Sequence, residues 1–288
     1  MLILNPEETR RCLPMDKAVV SQAAAFGEDV EIPLRRQLAG SMFMPGRVGD
    51  RAGIKIVSTV PGNPSGLVIV LDPEGTPEGI VDGPTLTAIR TGAVAGLATR
   101  LLSRADASVL AVIGAGAMAF DQVEAVRAVR PIERVLVWSR GAERAGDLAA
   151  RVGGEAVADA NAAVAEADVV SCATPATEAL FRPEAVRPGT HINAVGAFRP
   201  GMIEVPAEIT RKAYVVVDDL EAAAAEAGDL IEAGRTADTT LTEVLAGRHP
   251  PIAADVTFFK SVGVASQDVA AAVVALQEAR RQGLGTEV

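Results

Sequence analysis

Aromatic residues make up only 3% of this 288-residue chain: one Trp, one Tyr and seven Phe. A core without large rings must be filled by Ala, Val, Leu and Ile, and a hydrophobic fraction of 49% supplies enough of them for a folded protein. Cysteine is nearly absent. Cys12 and Cys172 stand far apart, which argues against a disulfide framework, and Cys172, in an apolar run, reads as an inert buried thiol. His191 and His249 are the only histidines, so a zinc-type cluster would have to be built from carboxylates and no metal site is expected. Net positive charge is lacking as well. A formal charge of −10 offers no attractive field to phosphate backbones and argues against a nucleic-acid partner. No apolar run approaches the roughly 18–20 residues that cross a bilayer. The N-terminal MLILNPEETRRCLP shows no cationic segment leading into a long apolar one. A cytoplasmic protein with no membrane partner is expected.

The most informative stretch that is present runs from Ser108 to Ala119, SVLAVIGAGAMA. Buried-strand residues (Val109 to Ile113) lead into Gly114, Gly116 and Ala119, spaced G-x-G-x-x-A, and helix formers follow. Gly114 permits the tight turn out of the strand, Gly116 lets backbone approach a pyrophosphate, and Ala119 allows helix to pack closely on sheet. The helix N-terminus offers unpaired N–H groups to the phosphates. Glycines also make ordinary turns; the legible strand before and helix after raise this pattern to a dinucleotide site.

Around it the chain divides in two. Asn5 caps a short helix from Pro6, and Met15 to Phe26 reads as a second helix. The Pro/Gly-punctuated stretch Glu31–Gly83 holds strand candidates at Gly53–Val60, Gly66–Leu71 and Ser41–Met44, with a hairpin turn over Asp72–Gly79. Thr85–Ser103 reads as a long helix with Leu86, Ile89, Ala93, Gly96, Leu97 and Leu101 on one face. Strands and helices then alternate: Val109–Ile113, helix 118–129, Arg134–Trp138, helix 142–151, a short strand near Glu155–Val157, helix Asn161–Glu166, and strands Asp168–Ala173, His191–Val195 and Ala213–Val217. Such alternation implies a parallel sheet with helices on both faces. The closing helix Ser266–Gln282 is expected to cross back to the first module. The fold class is therefore α/β: a Rossmann-type doubly wound parallel sheet over 101–265, with a second, smaller α+β module from 1–100 and 266–288. The smaller module is too rich in glycine turns to look self-sufficient. It is expected to bury a face against a second copy of itself in a homodimer.

In a dinucleotide fold the end of the second strand separates NAD from NADP. Here VLVWSRGAER has Ser139 and Arg140 where a carboxylate would hold the ribose hydroxyls, with Arg144 one helical turn on. A guanidinium fork suits a 2′-phosphate, so NADP(H) is favoured, with NAD(H) the alternative. Two solvated surface arginines are the bland reading. Thr174 and Gly196 follow later strands, where ligands bind in open α/β sheets, unless they are plain tight turns. Three cations stand in uncharacteristic places: Arg35 in PLRR, Lys55 in the strand GIKIVS, and Arg90 on a small-residue helix. A buried cation needs a partner. An anionic substrate and an internal salt bridge are the two candidates.

Several ordered motifs resemble the ornithine cyclodeaminase/mu-crystallin family: MLILNPEETRRCLPMDKAV, KIVSTVPGNP, LTAIRTGAVAGLATRLLSRADASVLAVIGAGAMA, HINAVGAFRP and FFKSVGVASQD. The resemblance covers nearly the whole chain. It implies a nucleotide-binding domain plus a smaller domain, built from both chain ends, that dimerises through its strands. It implies that Arg35, Lys55 and Arg90 hold the substrate carboxylate and the reacting imine or amine, with Thr91 beside Arg90 on the cofactor. Ala117 and Met118 match backbone groups over the pyrophosphate, and Ser139 with Arg140 the adenosine ribose. Thr174, Val195 and Gly196 match cofactor contacts near the nicotinamide half, and Ser261 with Val262 those closing over nicotinamide and substrate. Two departures stand out. Phe198 replaces the catalytic aspartate of true cyclodeaminases, and the segment before Asn63–Gly66 is shorter than is usual in the family. A phenyl ring neither positions water nor accepts a proton.

These residues together imply a reductase or dehydrogenase that acts on the C=N or C=O of a small anionic imino, oxo or amino acid. Two alternatives remain: a redox-neutral, NAD-dependent ornithine or lysine cyclodeaminase, and a non-catalytic cofactor binder.

Overall fold

The computed structural model describes residues 1–252 and 254–288. Two compact units emerge: Met1–Val94 with Val264–Val288, and Ala95–Gly263. The chain passes from one to the other at 94/95 and returns at 263/264, against expected junctions of 100/101 and 265/266. The first crossing falls within an unbroken helix, where nothing in the sequence pattern marks it.

Strand β1 (Leu2–Leu4) leads into helix α1 (Pro6–Cys12). Asn5 caps it reciprocally with Glu8, each side chain accepting the other's backbone N–H at 3.0 Å. Helix α2 (Met15–Ala25) follows, then β2 (Val30–Glu31), β3 (Arg36–Leu38), β4 (Ser41–Val48), β5 (Arg51–Ser58), β6 (Gly66–Leu71) and β7 (Pro77–Asp82). Strand β5 starts and ends two residues before the expected Gly53–Val60, because Gly49 and Asp50 form a two-residue hairpin in which Gly49 has φ +58°. The turn expected over Asp72–Gly79 is shorter than that. Asp72 Oδ1 accepts from the N–H of Glu74 and Thr76, and Pro77 already begins β7.

Helix α3 (Gly83–Leu102) starts where Asp82 accepts from the Thr85 N–H at 2.8 Å. Its apolar character is not confined to one stripe: Ile89 to Thr99 are buried all round, while the expected Leu101 is only half-buried. Small residues let this helix be enclosed on every side.

In the second unit β8 (Val109–Ile113), α4 (Ala119–Arg127), β9 (Arg134–Trp138), α5 (Ala142–Val152), β10 (Glu155–Ala156), α6 (Ala160–Glu166), β11 (Val169–Cys172) and β12 (His191–Ala194) alternate as expected. The chain continues through α7 (Ala207–Lys212), β13 (Tyr214–Val217), α8 (Leu220–Glu226), α9 (Gly228–Ala233), β14 (Thr239–Thr240), α10 (Leu241–Leu245) and β15 (Thr257–Lys260). The strands pair in parallel in the order β10-β9-β8-β11-β12-β15-β13-β14. The chain runs outward from β8 to β10, then returns to the other side of β8 at β11. That reversal makes a topological switch point at the carboxyl ends of β8 and β11, where ligands bind in such sheets. Strand β15, which the sequence did not disclose, inserts between β12 and β13. Branched apolar side chains fill both faces of this sheet.

Helix α11 (Ala265–Gln282) and strand β16 (Thr286–Glu287) return to the first unit, where the sheet order is β16-β1-β7-β6-β5-β4-β2, with β3 also on β4. One face of that sheet lies under α11. A Cβ added at Gly53 would sit 2.9 Å from a Val269 methyl, and one at Gly79 2.8 Å from the Leu2 carbonyl and under 3 Å from Leu276. Glycine there lets helix and strands approach closely. The opposite face carries the cross-strand row Pro45, Ile54, Ile69, Ile80 and Ile3, with Phe43, Ile56 and Leu67 alongside, all half-buried. Among the described residues no helix is long and apolar enough to cross a membrane.

Candidate active site

In the first unit, the row of side chains facing α11 reads Met44, Lys55, Val68, Val81, Leu4. A lysine in the middle of an apolar row, 4% exposed, has to find a counter-charge. It comes from Asp268 on α11, itself fully buried, whose Oδ1 lies 3.1 Å from Lys55 Nζ. The same oxygen accepts from Arg90 Nε at 3.0 Å, and Arg90 Nη1 donates to Gln267 Oε1 at 2.5 Å. Two buried cations therefore share one carboxylate oxygen, and these three groups carry one positive charge in excess. Burial pushes the Lys55 ammonium down to about 8; Asp268 opposes this, while Arg90 and Arg35 add to it. Burial pushes the Asp268 carboxyl up, but Arg90 and Lys55 outweigh it and hold it below its ordinary value. A positive excess in a dry, hydrogen-bonded setting suits a small carboxylate.

Of the two candidates, the internal salt bridge is the one present for Lys55 and Arg90, and Arg35 lies near enough to act on the Lys55 ammonium. Thr91, next on α3, is buried. Asp268 and Gln267 were missed as site residues. The signal was there: an acidic residue inside the Ala/Val-rich stretch VASQDVAAAVVAL has no reason to be buried unless it is paired.

The second unit holds the glycine turn. Gly114 has φ +113°, and a Cβ there would fall 2.6 Å from the Thr174 methyl, so only glycine fits. A Cβ at Gly116 would meet nothing nearer than the Ala173 carbonyl at 4.0 Å. Gly116 and Ala117 are exposed, and Met118 precedes the first turn of α4. An open shelf of backbone before a helix N-terminus, closed underneath by buried Ala119, fits a dinucleotide pyrophosphate. At the end of β9, Ser139 is half-buried and Arg140 and Arg144 are exposed. The Arg144 guanidinium folds back over Gly141, where a Cβ would be 3.2 Å from its Nε.

The remaining expected residues sit on loops braced by buried carboxylates. Thr174, after β11, gives its N–H and hydroxyl to Glu204 and accepts weakly from the Ala176 N–H at 3.3 Å, so its hydroxyl is largely engaged within the loop. Gly196 and Ala197, after β12, donate to the other oxygen of Glu204. Val195 is buried. Ser261, after β15, donates to Asp218 at 2.8 Å, and the N–H groups of Val262 and Gly263 point to the same carboxylate at 3.1 and 2.7 Å. Phe198 is 45% exposed, with the Arg199 guanidinium 5.6 Å from its ring centroid. Glu204, Asp218, Asp229 and Lys260 escaped the sequence reading; of these only Lys260, a cation inside the apolar VTFFKSVG, left a visible mark.

The family model for the ornithine cyclodeaminase/mu-crystallin family matches residues 18–283. A Delta(1)-pyrroline-2-carboxylate reductase of Bacillus cereus is 34% identical over 324 aligned positions, covering 100% of this chain and 99% of the relative. The structure of Thermococcus litoralis Delta(1)-pyrroline-2-carboxylate reductase, in complex with NADH and L-proline, superposes with a TM-score of 0.92 at 31% identity, covering 100% of both chains. An archaeal alanine dehydrogenase dimer with bound NAD also gives 0.92, at 32% identity over 100% of this chain and 98% of that one. The glycine turn, the buried lysine–arginine pair and these full-length matches lead to one conclusion: the chain belongs to the ornithine cyclodeaminase/mu-crystallin family.

Proposed function

We propose that this chain is an NAD(P)H-dependent oxidoreductase that reduces the C=N bond of a small 2-imino acid, a cyclic ketimine such as pyrroline-2-carboxylate being the leading substrate. The observation that carries this reading is the buried Lys55–Asp268–Arg90 group, with its positive excess and an ammonium that titrates near 8. The reductases of Bacillus cereus and Thermococcus litoralis, similar over the full length, support it.

Reduction of an imine adds a hydride to carbon and a proton to nitrogen. The reduced nicotinamide, when bound, supplies the hydride. Arg35 and Arg90 take the substrate carboxylate, in charge-assisted contacts that fix its orientation. Lys55 supplies the proton. An ammonium with a value near 8 is mostly charged at neutral pH and releases its proton more readily than an ordinary lysine, as a general acid requires. Asp268 keeps Lys55 and Arg90 aimed through one shared oxygen.

For the cofactor, the shelf over Gly114, Gly116, Ala117 and Met118 takes the pyrophosphate. Arg140 and Arg144 favour NADP(H) over NAD(H), since no carboxylate stands at the end of β9 to repel a 2′-phosphate. Thr174, Val195, Gly196 and Ser261 line the nicotinamide side, and Val262 the substrate. The unit Ala95–Gly263 is accordingly the dinucleotide domain, and the unit from both chain ends the substrate and dimerisation domain. The half-buried row Pro45, Ile54, Ile69, Ile80 and Ile3 supports a homodimer, because a contiguous apolar sheet face of that kind marks an association surface.

The test is oxidation of NADPH and of NADH, followed by absorbance, with pyrroline-2-carboxylate, piperideine-2-carboxylate, and pyruvate or glyoxylate with ammonia or methylamine. Turnover with a cyclic imino acid is expected. Ammonia release from ornithine, with no net oxidation across the panel, would replace this reading by the cyclodeaminase.

A further inference from the structure

Within the second unit, one buried side chain joins two loops that follow neighbouring strands. Glu204 is fully buried. Its Oε1 accepts from the Thr174 N–H at 2.6 Å and the Thr174 hydroxyl at 3.0 Å. Its Oε2 accepts from the N–H groups of Gly196 at 2.8 Å and Ala197 at 3.0 Å. Thr174 follows β11 and Gly196 follows β12, so one carboxylate draws both loops together. They touch: a Cβ on Gly196 would fall 2.2 Å from the Thr174 nitrogen and oxygen.

The carboxylate is itself anchored. Asp229 Oδ1 accepts from the backbone N–H of Glu204 at 2.7 Å and of Val205 at 2.9 Å. Lys260 Nζ lies 2.8 Å from Asp229 Oδ2 and 4.0 Å from Glu204 Oε2, and all three side chains are wholly buried. Replacing buried ionic groups by apolar ones of similar volume is often neutral or stabilising. Such a cluster is therefore weak evidence for stability, while its hydrogen bonds hold the Thr174, Gly196 and Ala197 donors in one arrangement.

Strand order says what is being positioned. The glycine turn leaves β8, and Ser139, Arg140 and Arg144 stand at the end of β9 on one side of it. The loops tied by Glu204 stand at β11 and β12 on the other. A dinucleotide with its pyrophosphate on the turn and its adenosine toward β9 must send its other half toward β11 and β12. The ledge also abuts the turn, since the Thr174 methyl is what a Cβ at Gly114 would strike.

We propose that Glu204 is a positioning residue for the nicotinamide half of the cofactor, locking the Thr174 and Gly196 loops into one ledge against which that half rests. This rests on the reading of the unit as a dinucleotide domain. The experiment uses the full-length protein and binding alone, without turnover. Kd values are measured for NADH and NADPH by fluorescence, and for ADP-ribose and its 2′-phosphate by calorimetry, on the wild type and Glu204→Gln. The amide keeps one acceptor oxygen and turns N–H toward N–H donors, so the reduced cofactor should bind about tenfold more weakly. The matching ADP-ribose, which lacks nicotinamide, should change by less than about twofold.

Equal weakening of both ligands would make Glu204 a general brace and overturn the proposal, as would unchanged cofactor binding by a native-like variant. A wild type that binds neither NADH nor NADPH would instead remove the dinucleotide reading, and this proposal with it. Should Glu204→Gln fail to fold, Glu204→Asp decides by the same comparison: the shorter side chain keeps the charge but cannot reach the donors of both loops, and should produce a smaller loss, again confined to the reduced cofactor.

Discussion

Lys55 gains its chemistry from where the strand puts it. In water its ammonium would titrate above 10; enclosed in an apolar row beside Arg90, it is lowered to about 8. In the proposed mechanism the protonated form is the donor, so kcat/KM for imine reduction is expected to be level at neutral pH and to decline above about 8. Asp268 opposes the fall, so Asp268→Asn should move that alkaline limb to lower pH; a limb that stays put would mean another group sets it. Lys55→Met is expected to leave NADPH binding nearly intact while abolishing turnover, and full activity in that variant would sink its assignment as proton donor. At the cofactor end, Arg144→Ala should raise the KM for NADPH about tenfold, the scale of a lost charge-assisted hydrogen bond, with little effect on NADH. Equal effects on the two cofactors would leave Arg144 as a surface charge. Arg35, Lys55 and Arg90 were legible in the sequence because cations stand out among apolar or small residues. Asp268 was less so: its sequence neighbours conceal that it closes the cluster from another element.

Among elements, the closing helix α11 shows how glycine and helix depend on each other. The helix lies so near the first unit's sheet that Gly53 and Gly79 leave no room for a methyl group. Gly79→Ala would force a carbon against the Leu2 carbonyl and the Leu276 side chain, a backbone neighbour that cannot move aside. It is expected to destabilise the fold by about 1–3 kcal/mol, checked by denaturant unfolding. A change within a few tenths would show that the helix can shift. Long elements with a clear period or cap, such as α1 with its Asn5–Glu8 pair and the strand–turn–helix at β8, could be read from local sequence alone. Short elements could not. Strand β15 is four residues of a parallel sheet buried on both faces, and nothing in TFFK distinguishes such a strand from any apolar fragment. The enclosed helix α3 was misread as one-faced because Ala, Gly and Thr do not reveal how many sides are covered.

For the molecule as a whole, the half-buried isoleucine row makes association the expected state. Ile54→Asp paired with Ile69→Lys should shift the protein toward monomers in sedimentation velocity, and a native assembly that survives both would place the contact elsewhere. The alternation of strands and helices, the G-x-G-x-x-A turn, the three odd cations and the likeness to one family all lay within the sequence by itself. They are short-range patterns: periodicity, capping, and residues whose type conflicts with their neighbours. Tertiary structure alone decided which groups complete each site. Asp268 reaches Lys55 across 213 positions, and Glu204 gathers donors from two loops that are 22 residues apart. A buried charge takes its partner from whatever the packing brings near, and that distance is set by the fold rather than by separation along the chain.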